Sequence, residues 1–319
     1  MAKLTQIRQS LSSELDMLNT RIADALDSSN EMMNSIIANY LGVKGKQLRP
    51  ILVILTAELF GKIDERIISA AAAVELLHNA SLIHDDVVDD SSTRHGRPTI
   101  NTVWDNHIAV LVGDFFVSTS LTEAVTTGDL RVIKAISELG RNLSVGEMDQ
   151  IYNARFHSLD EDSYFKIISH KTASLFVSCV RMGCYLVNAN DEQLHKMEQF
   201  AELFGRCFQI RDDILDYFDD ASIGKPTGND LREGKITLPL LYALSLTDKP
   251  QSAEMIALSR KEVLSTDEIN TLIKYAKECG GIEYARHKIE ELAAKARDII
   301  RSFTPCKASE ALISLIDSI

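Results

Sequence analysis

Cysteine, proline and glycine are scarce in this chain, at 5, 6 and 15 of 319 residues. The cysteines, at 179, 184, 207, 279 and 306, are odd in number and show no paired ligand spacing. That pattern argues against a disulfide framework or a zinc site and suits a reducing compartment. Few Pro and Gly, with Leu, Ile, Ala, Glu and Lys recurring throughout, leave few places to break a helix, so an all-α protein is expected. Basic residues are outnumbered, 34 Lys and Arg against 46 Asp and Glu, for a net charge of -12. The chain therefore lacks the basic footprint that a nonspecific nucleic-acid partner needs. It also lacks a basic-then-apolar leader, and no uninterrupted apolar run approaches the roughly 20 residues that span a bilayer. A cytoplasmic protein without a transmembrane segment is expected.

Near the N-terminus Leu4, Ile7, Leu11, Leu15, Leu18, Ile22 and Leu26 recur at helical spacing. This predicts one amphipathic helix within roughly residues 1–40, a packing or dimer-associated surface with no catalytic part. From Ile51 to Val88 the chain is apolar almost all round, as in a helix pair buried in a bundle. Turns are expected at Arg94–Pro98, Thr127–Asp129 and Gly224–Gly228. Ser265-Thr266-Asp267-Glu268 reads as a capping box, with Gly280-Gly281 as the stop of its helix. Neither a repeat nor a composition shift divides the chain, so one helical domain over 1–319 is expected.

Chemistry concentrates in two acidic clusters. On a helix, Asp85 and Asp89 share a face and can converge on hard cations that demand oxygen ligands. Without a cation such a pair would repel by roughly 3 kcal/mol at about 6 Å and an effective dielectric near 20. One cluster of this kind is most often a solvated helix end. The spacing recurs, however, in Asp212-Asp213-Ile214-Leu215-Asp216, beside Phe208 and Ile210, on what should be a partly buried helix. Two carboxylate clusters on facing bundle helices can hold magnesium between themselves and a diphosphate, whose departure then needs less energy.

Asp85-Asp86-Val87-Val88-Asp89 followed by Arg94, and Phe208 through Asp216, resemble the two aspartate-rich motifs of trans-polyprenyl diphosphate synthases. Gly45-Lys46-Gln47-Leu48-Arg49-Pro50, His78, Gly146-Glu147 with Gln150, Lys171-Thr172, and Gly224-Lys225-Pro226 through Gly234-Lys235 follow in that family's order, so the resemblance covers most of the chain. It implies a helical bundle of the isoprenoid synthase type around a central apolar cavity. It also implies a homodimer and about three magnesium ions per site, held by oxygen donors. Asp85, Asp89 and Asp212 match the direct metal ligands, and Asp86, Asp213 and Asp216 their supporting partners. Arg94, Lys171, Lys225 and Lys235 fall where the family grips the allylic diphosphate. Lys46, Arg49 and His78 fall where it binds isopentenyl diphosphate, and Thr172 and Gln209 match neutral dipoles near the allylic cation. His95 stands where a second arginine is usual, replacing five donors and a fixed charge by one neutral donor.

The activity this implies is the condensation of isopentenyl diphosphate with an allylic diphosphate, by ionisation, attack and proton loss. Transient membrane contact for product release would fit a long product. Product length is tied by the resemblance to the fourth and fifth residues before Asp85, here the small Ser81 and Ala80, with Leu77 and Val74 deeper along the same helix. Small residues there imply a long chain; their bland alternative is close helix packing. A terpene cyclase shares the fold and first motif but not a second aspartate repeat. A noncatalytic subunit would be expected to lose some of these six aspartates.

Overall fold

The computed structural model describes residues 2–42, 45–94, 96–156, 159–218, 227–248 and 251–319. His95 and Lys225, with most of the Gly224–Gly228 turn, lie outside the described residues. The described chain is helical apart from one small hairpin. The N-terminal segment expected as one helix within roughly residues 1–40 forms three: α1 (Ala2–Ser10), α2 (Ser12–Ala25) and α3 (Glu31–Leu41). The stripe itself is continuous, with Ile7, Leu11, Leu15, Leu18, Ile22 and Leu26 all buried. The break after Leu26 comes from Asn30, whose side chain accepts from the Met33 N–H and starts α3.

The expected buried pair is α4 (Leu48–Phe60) and α5 (Glu65–Val88). Asp64 caps α5 by accepting from the Arg66 and Ile67 N–H groups. From Ile67 to Leu77 this helix is closed in on every side except at Glu75, because it packs against α2, α4, α7 (Asn106–Thr126) and α10 (Ser174–Leu186). The Ser120 hydroxyl on α7 donates to the Ala73 carbonyl of α5 at 2.6 Å, a buried tie between the two. Between them lie the antiparallel strands β1 (Thr93–Arg94) and β2 (Arg97–Pro98) and the single-turn α6 (Ile100–Val103). By length and composition α5 and α7 could each cross a bilayer, although neither stands out as an uninterrupted apolar run. Most of α5 is nevertheless buried inside the bundle, whereas α7 turns Val110, Leu111, Leu121 and Val125 outward.

Thr127 and Gly128 turn the chain into α8 (Leu130–Phe156), followed by α9 (Glu161–Ile168) and a π-helical turn, Ser169–Ala173, that leads into α10. A capping box at Asn190 and Gln193 opens α11 (Asp191–Leu215). The remainder comprises α12 (Asn229–Arg232), α13 (Leu238–Ser245), α14 (Ser252–Ser259), α15 (Thr266–Glu278), α16 (Gly281–Arg301) and α17 (Lys307–Ile316). The predicted box at Ser265 is present: its hydroxyl accepts from the Glu268 N–H, and the Glu268 carboxylate accepts from the Ser265 N–H at 2.8 Å. Two apolar cores result. One centres on α4, α5, α10 and α11, and the other joins the end of α11 to α13, α15 and α16.

Candidate active site

The first aspartate motif occupies the last turn of α5. Asp89 is the helix cap, and its N–H donates to the Asp85 carbonyl at 2.8 Å, so the two carboxylates stay one turn apart. Asp90 takes a left-handed conformation (φ 48°), and the Ser91 N–H reaches back to the Asp86 carbonyl at 2.9 Å. This reversal is of the Schellman type, and it sends the chain straight into β1. Arg94 thereby returns to Asp86, donating through Nε at 2.9 Å and lying 2.8 Å away through its terminal nitrogen. Asp85 and Asp89, by contrast, make no side-chain hydrogen bond among the described residues. A helix C-terminus is the negative end of its dipole, an unfavourable place for carboxylates without a cation. Burial pushes Asp85 up to about 6, with Glu147 and Asp89 adding to it. Burial also raises Asp89, against the pull of Lys235 and Lys171.

The second motif ends α11. Asp212 is exposed, while Asp213 is buried at 4% exposure. Asp213 accepts from Tyr164 at 2.6 Å and from the Gln209 amide at 2.7 Å, and the Thr172 hydroxyl donates to the Gln209 carbonyl oxygen at 2.6 Å. Thr172, Gln209 and Asp213 thus form one chain, as their shared position in the motifs suggests. Burial still raises Asp213 above the usual carboxylate range, with Asp212 and Asp216 contributing. Asp216 accepts from the Asn229 and Asp230 N–H groups at 3.0 and 3.1 Å, and so anchors the short α12. Asp230 itself is raised by burial and then by Asp213 and Asp216. Sequence reasoning missed Tyr164, an ordinary aromatic by pattern, and Asp230, whose signal was its place between Gly228 and Gly234.

Lys171 and Thr172 are neighbours in the π-helical turn and face different helices, Lys171 towards α8 and Thr172 towards α11. Two glycines permit this. A Cβ on Gly146 of α8 would stand 2.9 Å from the Lys171 nitrogen, and one on Gly205 of α11 would stand 2.5 Å from the Ala173 Cα. Lys171 pairs with Glu147 and donates to Gln150 at 3.1 Å. Lys235, just beyond α12, pairs with Glu233. Both lysines act on Asp89 through space, which links α5 electrostatically to the α12 segment.

A second polar group lies deeper, beneath the first motif. Arg49 stacks its guanidinium over the Phe176 ring at 5.3 Å, and its Nε has no hydrogen-bond partner among the described residues. Nδ1 of His78 and Oε2 of Glu75 are likewise buried without partners among them. Burial holds His78 well below the usual imidazole range, with Arg49 and Arg94 reinforcing the effect, so its ring is neutral. Burial raises Glu75, opposed by Arg49 and then Arg8. Glu75 was not foreseen, although a lone carboxylate one turn before His78 in an apolar helix was a readable signal. Lys46 is exposed at the edge of this group.

A cavity of about 180 Å³ is lined by Lys171, Thr172, Gln209, Asp213, Asp230 and Lys235, among others. Ala80, Ser81, Leu77 and Val74 do not line it. Ala80 and Val74 are fully buried, Leu77 is 7% exposed, and the Ser81 hydroxyl donates to the His78 carbonyl. The expected central apolar cavity along α5 therefore does not coincide with this one, whose lining mixes these polar groups with Ile167, Ile168, Ile236 and Leu241.

Among the described residues no three His, Cys, Asp or Glu side chains converge into a closed metal cluster. The donors do fit magnesium, which uses a few carboxylates and completes its shell with phosphate oxygens and water. Asp85 and Asp89 are raised carboxylates without hydrogen-bond donors, whereas Asp86, Asp213 and Asp216 are committed to Arg94, Tyr164 with Gln209, and α12.

Comparison with known proteins places the chain among prenyl diphosphate synthases. The chain is 34% identical over 272 residues to the octaprenyl diphosphate synthase of Escherichia coli (strain K12), covering 85% of this chain and 84% of that one. The crystal structure of a decaprenyl diphosphate synthase from Rhodobacter capsulatus superposes with a TM-score of 0.92 at 31% identity, over 99% and 98% of the two chains. A geranylgeranyl pyrophosphate synthase from Bacteroides thetaiotaomicron gives a TM-score of 0.85 at 35% identity, over 100% and 99%. The pattern of the polyprenyl synthetase family matches residues 30–276, and by this match, together with the fold, the chain belongs to that family.

Proposed function

We propose that the chain, as one polyprenyl synthase domain over 1–319, condenses isopentenyl diphosphate with an allylic diphosphate to make a long-chain trans-polyprenyl diphosphate in the cytoplasm. The observation that carries this reading is the pair of aspartate motifs at the ends of α5 and α11, with Lys171 and Lys235 in the field of Asp89. Asp85, Asp89 and Asp212 would hold magnesium, about three ions per site, which supplies neutralisation of the diphosphate as its carbon–oxygen bond breaks. Lys171, Lys225, Lys235 and Arg94 bind and orient the allylic diphosphate. Lys171 and Lys235 exchange Glu147 and Glu233 for its oxygens when it arrives. Lys46, Arg49, the neutral His78 and His95 bind the second diphosphate. The oxygens of Thr172 and Gln209 stabilise the allylic cation without a full negative charge that would trap it. The new bond forms by attack of the isopentenyl double bond, and a proton leaves to the released diphosphate.

The apolar outward face of α7, carrying Val110, Leu111, Leu121 and Val125, together with Val145 and Met148 of α8, supports a homodimer as the working form. Purified protein whose mass has been measured by light scattering, given isopentenyl diphosphate, a series of allylic primers and magnesium, is expected to release diphosphate and linear products. Release of cyclised hydrocarbon, or no consumption of isopentenyl diphosphate, would overturn the activity. An active monomer would remove the dimer.

A further inference from the structure

The segment Gly45–Gln47, immediately before α4, carries backbone carbonyls that the helix does not satisfy. α4 begins at Leu48 with Gln47 as its cap, so the Lys46 carbonyl lies ahead of the helix and has no donor within it. Gln47, immediately before α4, adopts a left-handed conformation (φ 53°, ψ 38°) that a residue with a Cβ takes only at a cost. Gln47 is nonetheless buried, at 8% exposure. The two groups that hold it come from the N-terminal helices. Arg8 of α1 donates to the Lys46 carbonyl at 2.7 Å and to the Gly45 carbonyl at 3.4 Å, with its second terminal nitrogen 3.5 Å from the Gln47 side-chain oxygen. Asn19 of α2 accepts from the Gln47 amide at 2.9 Å. Among the described residues, the Gly45 and Lys46 carbonyls receive hydrogen bonds from Arg8 alone.

We propose that α1 and α2 are part of the isopentenyl diphosphate site, with Arg8 and Asn19 as positioning residues that clamp the loop so that Lys46 and Arg49 face the same diphosphate. The left-handed residue sets the angle between the loop and the first turn of α4, hence between the Lys46 and Arg49 side chains. Arg8 satisfies the Lys46 carbonyl that lies ahead of the helix, and Asn19 fixes the side chain that anchors the left-handed turn. The same guanidinium acts through space on buried Glu75, which faces Arg49, so the clamp and the deeper polar group share one electrostatic neighbourhood. This inference rests on the assignment of Lys46 and Arg49 to isopentenyl diphosphate.

The test is steady-state kinetics of the full-length protein with each substrate varied in turn. Arg8→Ala is expected to raise KM for isopentenyl diphosphate about tenfold, the scale of a charge-assisted hydrogen bond acting through one neighbour. Asn19→Ala should raise it severalfold. In both, kcat and KM for the allylic substrate should stay within about twofold of the parent. Arg8→Lys, which keeps one donor for the Lys46 carbonyl, should recover part of the loss. Adding Arg8→Ala to Lys46→Ala should raise KM by less than it does alone, because the clamped side chain is already gone. If Lys46→Ala raises KM for isopentenyl diphosphate and neither Arg8→Ala nor Asn19→Ala does, the clamp is wrong. It is equally wrong if both variants lower kcat and disturb both substrates alike, the mark of a general packing role. If Lys46→Ala and Arg49→Ala leave that KM unchanged, the underlying assignment fails, and the clamp fails with it.

Discussion

Substituting Asp85 by Asn should make the metal-free protein more stable, and only above a certain pH. Burial lifts Asp85 from the ordinary 3.8 to about 6, with Glu147 and Asp89 adding repulsion. A carboxyl whose folded pKa is raised binds its proton more tightly in the folded state than in the unfolded state. Stability therefore falls as pH rises from about 4 through about 6, and the full cost is in place above that. The gap is worth ~3 kcal/mol at ~1.4 kcal/mol per pH unit. The substituted amide carries no charge to desolvate, so chemical denaturation in EDTA at about pH 8 should show Asp85→Asn more stable than the parent by ~1–3 kcal/mol. At about pH 4, where the parent is largely protonated, the two should agree within ~0.5 kcal/mol. Added magnesium should stabilise the parent more than the variant, closing the difference. Turnover of the same variant should drop by orders of magnitude, since a metal-binding oxygen is lost. A variant no more stable than the parent under the alkaline condition, or a gap of equal size under both, would refute the idea that this carboxylate is held at an energetic cost for a cation.

Two further outcomes are expected. Ser81→Phe, alone or with Ala80→Phe, should shorten the main product while preserving the first condensation; fully buried Ala80 leaves the ring little room, so melting curves must accompany the product analysis. An unchanged product distribution in a folded, active double variant would move the floor elsewhere, to Leu77 or to α7 around Phe115 and Phe116. His95→Arg should lower KM for isopentenyl diphosphate, most at alkaline pH where an unperturbed imidazole is neutral. A KM unchanged across the pH range would strike His95 from the site.

Much of this was legible in the sequence because helical periodicity and capping are local properties. The stripe from Ile7 to Leu26, the buried pair α4 and α5, and the Ser265 box could all be read from residues a few positions apart. The stripe did not reveal the break at Leu11, since a period survives a short interruption, and Asn30, which starts α3 beyond it, carries only a weak cap signal. Both aspartate clusters were visible as spacing, and the resemblance set Asp86, Asp213 and Asp216 apart as supporting residues, but the groups that hold them were not legible. That Asp213 is tied to Tyr164, and Asp86 to Arg94, depends on how distant segments return. Glu75 and Arg8 escaped notice for a similar reason. One is a single charge in an apolar helix, and the other is a surface-type residue whose partner, the Lys46 carbonyl, is backbone and has no sequence signature.

The π-helical turn at Ser169–Ala173 has a consequence for length variation along the chain. Such a turn amounts to one residue inserted into an α-helix. Removing a residue there would let α9 and α10 join as a regular helix, so hydrogen bonding alone would not oppose the deletion. It would, however, rotate everything beyond by about 100° relative to α9. Lys171 could then no longer face Glu147 on α8 while Thr172 faces Gln209 on α11. A single-codon deletion at this point should therefore be tolerated by folding far better than by function, and variants of this chain that survive selection for activity should keep the residue count between Tyr164 and Phe176 unchanged.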